Sequence, residues 1–180
     1  MYSKRNVVVA VVAIVSMALV ATVGTAAGNK SEFEGTNTYT GLTALGTWRC
    51  PGGEPVPPFS CPPGTQTHVR GAGTAASFYS PDTGPAALAI VANANYNPDF
   101  TGELWGTWTV VFSSAGSTCE GSWNGSVRKA GNNYVNLIRA IAFCAGGNFD
   151  GFQVKWNETA VGINPATSSV TGRFLDPGED

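Results

Sequence analysis

Charge is scarce in this chain: Asp, Glu, Lys and Arg make up 12% of its 180 residues, and His68 is the single histidine. So little charge excludes a solvated disordered tail and the charged heptads of a coiled coil. Nor is there a basic stripe to neutralise phosphates, so nucleic acid is not an expected partner. Beyond residue 27 no apolar run of comparable length recurs and no segment shows sustained helical periodicity, so neither a further membrane span nor a helical domain is expected. Closely spaced cysteine pairs are missing too, and one histidine cannot complete a zinc site. No metal and no cofactor are expected.

Plentiful instead are apolar side chains, at 43%, with Gly 23, Pro 11 and Trp 5. A charge-poor chain punctuated by turn residues reads as all-β.

The first segment has its own character. Lys4 and Arg5 precede an uncharged run from Val7 to Val23, which ends in the small residues Gly24, Thr25, Ala26 and Ala27. This pattern predicts a signal peptide over 1–27, with a secreted or periplasmic product; the competing reading is an uncleaved anchor. Residues 28–180 then form a single domain, losing two basic side chains and becoming more acidic. An even set of cysteines in an exported chain predicts disulfides, here Cys50 with Cys61 and Cys119 with Cys144. The first pair would staple a loop over 50–61 that carries Pro51, Pro55, Pro57 and Pro58, excluding it from a central strand.

After an irregular segment over 28–37, stretches rich in Thr, Val, Trp, Tyr and Phe alternate with turn residues. Strands are predicted at 38–49, 67–79, 86–96, 103–114, 118–129, 133–145, 149–157 and 168–175. Short turns such as Ser114–Ser117 and Ala130–Asn133 make consecutive strands antiparallel neighbours, and an even run of eight closes without exposed edges. The predicted fold is an antiparallel up-and-down β-barrel of about eight strands.

Few residues in this pattern carry chemistry. His68 and Arg70 share one face of their strand, where a base beside a cation is conceivable. Arg139 shares a face with Val135, Leu137, Ile141 and Phe143; pointing inward it would anchor an anionic ligand, with Glu120, Asp150 or Glu158 as rival ion-pair partners. Pointing outward, that stripe would be an oligomer interface. The opposite face, with Tyr134, Asn136, Ile138, Ala140, Ala142 and Cys144, is almost as apolar, so periodicity alone leaves the choice open. Trp105 and Trp108 are three apart and fall on opposite faces. Trp108, Trp123 and Trp156 are candidates for gripping a ligand or filling the core, and Gly121 and Gly125 flank Trp123 on its own face. Asn93, Asn95, Asn97 and Asp99 read as a strand end and turn. Asn29, Asn124 and Asn157 open Asn-X-Ser/Thr triplets, relevant in a glycosylating host.

With eight predicted strands punctuated by Gly and Trp, residues 38–175 resemble the eight-stranded barrels of the allene oxide cyclase and dirigent kind, including bacterial cyclases of polyketide assembly. The resemblance implies a lumen that binds apolar substrates and steers cyclisation by shape; it transfers no catalytic motif, and the signal peptide and disulfides depart from the cytosolic bacterial members. Three functions are compatible with the sequence. One is an exported barrel holding a small apolar or amphipathic molecule in its lumen. Another is a cyclase or isomerase using the same cavity, with Arg139, His68 or a strand carboxylate polarising the substrate. The last is a non-catalytic surface or assembly protein that forms a homo-oligomer. A binder rather than an enzyme is the leading expectation.

Overall fold

The computed structural model describes residues 30–50, 64–162 and 165–176. The expected signal peptide and the proline-rich loop between Cys50 and Cys61 lie outside these residues. Among the described residues nine strands run in chain order: β1 (Lys30–Ala44), the two-residue β2 (Trp48–Arg49), β3 (Thr67–Ser80), β4 (Gly84–Tyr96), β5 (Gly102–Phe112), β6 (Ser117–Ala130), β7 (Asn133–Ala145), β8 (Gln153–Val161) and β9 (Thr167–Leu175). All pairings are antiparallel, and the order is β1-β9-β8-β7-β6-β5-β4-β3-β2. Because β1 also pairs with β3, the eight long strands close into the expected barrel.

Closure depends on a strand that the sequence hides. Residues Lys30–Asn37, expected to be irregular, are the first half of β1 and pair with β9; the second half of β1 pairs with β3. Polar side chains dominate this half because Glu32, Glu34 and Thr36 face solvent, while Phe33 and Asn37 alternate inward. The other boundary correction concerns β8. A 3-10 turn over Gly147–Phe149 delays its start to Gln153, and the strand continues through Glu158 to Val161.

Two bulges adjust which side chains enter the lumen. An extra residue in β1 between Tyr39 and Gly41 lets both Tyr39 and Leu42 reach the interior cavity. In β3 the extra residue is Gly71, held at φ 72° with its N–H donating to Asn93 Oδ1 at 3.1 Å. Left-handed backbone of that kind is cheap only for glycine.

One end of the barrel is filled with phenylalanine. Phe33, Phe78, Phe112 and Phe174 are buried there, and Phe149, carried by the 3-10 turn, stacks on Phe174 with ring centroids 4.2 Å apart. Nearby, Cys119 and Cys144 are paired in register across β6 and β7 and form the expected disulfide. Cys50 is also disulfide-bonded, and its expected partner Cys61 lies outside the described residues. No helix among the described residues is long and apolar enough to cross a membrane.

Candidate functional site: an aromatic-lined lumen with one buried carboxyl

Tryptophans divide the plugged end from an open one. Trp108, Trp123 and Trp156 all point inward, whereas Trp105 is 39% exposed on the outside, as their spacing requires. Room for these rings comes from the strands beside them. Trp108 stands opposite Gly121 and Trp123 opposite Gly106, while Ala140 of β7 lies between Trp123 and Trp156. A Cβ on Gly121 would come within 1.9 Å of the Ile141 carbonyl oxygen, and one on Gly106 within 1.8 Å of that of Val91. The closely approaching backbone supplies acceptors: the Trp108 indole donates to Ile141 O at 3.2 Å and the Trp123 indole to Thr107 O at 3.2 Å. Thus the rings are oriented at both their apolar and polar edges.

Above this layer lies a cavity of about 700 Å³, walled by Leu88, Ile90, Ala92, Ala94 and Ile138 and reaching Trp48, Tyr96 and Phe100 towards the open end. Its volume falls within the range typical of small-molecule sites. Ala92 and Ala94 on β4 leave part of this space unfilled.

Into this apolar wall the inward alternation of β8, Val154, Trp156, Glu158 and Ala160, places one carboxyl group. Glu158 is 3% exposed. Asn37 Nδ2 donates to its Oε2 at 3.1 Å, and the Tyr39 hydroxyl donates to its Oε1. Ser168, directly opposite Asn37 in the β1–β9 ladder, also hydrogen-bonds to Glu158, and its Oγ is 3.4 Å from the Tyr39 hydroxyl. Asn37 Oδ1 is buried without a hydrogen-bond partner. Burial raises the Glu158 pKa to about 7; hydrogen bonds from Ser168 and Asn37 oppose the shift without cancelling it. Tyr96, also on the cavity wall, has its phenol pKa raised by burial.

The other expected site residues stand elsewhere. Arg139 is exposed on the outer face between Asn124 and Asn157, so it does not reach the lumen. The reason is steric: β7 must turn its small side chains inward to admit Trp123 and Trp156, which sends Leu137, Ile141 and Phe143 outward with Arg139. His68 and Arg70 do share a face, but it is the outer one, where His68 Nδ1 lies 2.7 Å from Asn95 Oδ1. Among the lumen candidates, the structure brings together Trp108, Trp123 and Trp156. Glu120 and Asp150 are exposed, whereas Glu158, expected only as a rival partner for Arg139, is the lumen's carboxyl. Asn37, Tyr39 and Ser168 were not singled out by the sequence. The Val154–Trp156–Glu158 alternation was the available signal, obscured by ending the strand at 157.

No protein-family model, curated protein or solved structure matches this chain. Fold and site therefore define it as a disulfide-bonded eight-stranded antiparallel β-barrel with an aromatic-lined interior.

Proposed function

We propose that the barrel binds one small apolar or amphipathic molecule in its lumen, with the molecule's polar group directed at Glu158 and Tyr39. The observation that carries this is the cavity itself: about 700 Å³ of mostly apolar wall interrupted by a hydrogen-bonded carboxyl. Such sites combine apolar area for affinity with a few polar groups for orientation. Export of the mature chain belongs to the same proposal and rests on the pattern of residues 1–27. Native mass spectrometry of the exported protein, purified without reductant, tests both. Cleavage near residue 27 and extra mass lost on denaturation support the proposal; a clean apo mass that no apolar compound shifts opposes binding.

A second function, isomerisation or cyclisation of the bound molecule, is favoured by one observation. A carboxyl with a pKa near 7 beside a phenol has the proton affinity suited to general acid or base work at neutral pH. The barrel fold accords with the resemblance to allene oxide cyclase and dirigent proteins, but this chemistry would rest on Glu158 rather than Arg139 or His68. Turnover of a copurified compound, lost in Glu158→Gln, distinguishes an enzyme from a carrier. A homo-oligomeric assembly role draws on the outward stripe of Leu137, Ile141 and Phe143, the last 63% exposed. Mass that rises with protein concentration, and falls in Phe143→Ser, would support it.

A further inference from the structure

Glu158 is a buried acid with no basic partner on the cavity wall. Its direct contacts are Asn37, Tyr39 and Ser168, all uncharged. The groups facing it from neighbouring strands are Ile138 and Ala140 of β7 and Val170 of β9, with Trp108 and Trp123 from further round the barrel. Among the described residues lining the cavity, the other titratable side chains are Tyr39 and Tyr96; no Lys, Arg or His points in. Arg49, Arg70, Arg128, Lys129, Arg139, Lys155 and Arg173 are exposed or half-buried and stand outside this wall.

One buried acceptor beside the carboxyl is left over. Tyr39, Ser168 and the Asn37 amide nitrogen all hydrogen-bond to Glu158, and the buried Asn37 Oδ1 has no donor. Trp108, Trp123, Trp156 and Tyr39 line the same cavity, and the negative π-surfaces of aromatic rings attract cations. A buried carboxylate is costly alone and is stabilised by a cation that brings N–H donors.

We infer that the lumen is built for a lipophilic organic cation, an apolar molecule ending in a protonated primary or secondary amine, with the ammonium paired to Glu158 and ringed by tryptophan. This rests on the lumen-binding function proposed above and specifies its ligand class. Binding is proton-coupled: the arriving ammonium keeps its own proton, and Glu158, where protonated, releases one to solvent as the ion pair forms. A neutral alcohol would gain the apolar contacts without the ion pair, and a carboxylate of the same skeleton would be repelled.

Calorimetry with 4-phenylbutylamine, 4-phenylbutan-1-ol and 5-phenylpentanoate on the disulfide-intact mature chain tests this. At pH 8 the amine should bind about tenfold more tightly than the alcohol, and the carboxylate weakest. That preference should shrink towards pH 5, where Glu158 is protonated, and titrations in two buffers at pH 7 should show about half a proton released per amine bound. Glu158→Gln should abolish the preference of the amine over the alcohol. The pH dependence of the amine-to-alcohol ratio in the unaltered protein requires no substitution. Equal or tighter alcohol binding at pH 8 overturns the cation inference and leaves lumen binding intact. Failure of all three probes, and of their parent butylbenzene, to bind overturns both.

Discussion

Tyr39 and Glu158 are 119 positions apart, yet the phenol of one donates a hydrogen bond to the carboxyl of the other. The contact exists because β1 closes the barrel: β8 pairs with β9, β9 with β1, and the inward side chains of the three strands converge. Barrel closure and assembly of the polar cluster are therefore one event, and loss of the β1–β9 pairing would dismantle both.

Glu158 links stability to pH. Its pKa is about 7 in the folded chain against an ordinary value of 4.5, so the folded state holds this proton more tightly. The associated stability is fully present below about pH 4.5 and is lost as pH rises through 7. Glu158→Gln should remove that dependence and stabilise the apo protein above pH 7, by at most about 3 kcal/mol. Urea unfolding between pH 5 and 8 measures it; parallel pH profiles for the two proteins would refute the assignment.

Gly121 and Gly106 have no room for a side chain. Gly121→Ala should destabilise by about 1–3 kcal/mol as the backbone yields around Trp108, with a loss of near-ultraviolet tryptophan ellipticity. Gly41→Ala is the control, since nothing lies within 4 Å of its added methyl. Thermal melts should separate the two clearly.

Cys119 and Cys144 are separated by 25 positions, so their disulfide restricts the unfolded chain across one hairpin. Replacing both with alanine should cost about 3 kcal/mol while leaving the strand register unchanged. Chemical denaturation with far-ultraviolet dichroism checks stability and secondary structure together.

Arg139 lies outside the lumen. Arg139→Ala should leave the affinity of any lumen ligand within about twofold, since exposed charges contribute little at a distance through screening solvent. Titration of the same probe against both proteins tests the placement, and a tenfold loss would contradict it.

Composition and periodicity alone determined the fold class, the order and antiparallel sense of most strands, the Cys119–Cys144 pairing and the opposite-facing Trp105 and Trp108. Those features are local, carried by alternation and turn chemistry in adjacent segments. The first half of β1 was hidden because its solvent-facing polar residues hide the strand signal. On β7 two almost equally apolar faces left the inward side undecided, and the lumen was already occupied by tryptophans from β5, β6 and β8. Only the closed barrel shows that competition for volume, and so only the tertiary structure decided that Arg139 faces solvent and that Glu158 meets Asn37, Tyr39 and Ser168. Hydrophobicity ranks the faces of a strand one at a time, whereas packing a shared interior requires large residues on some strands to be met by small ones on others.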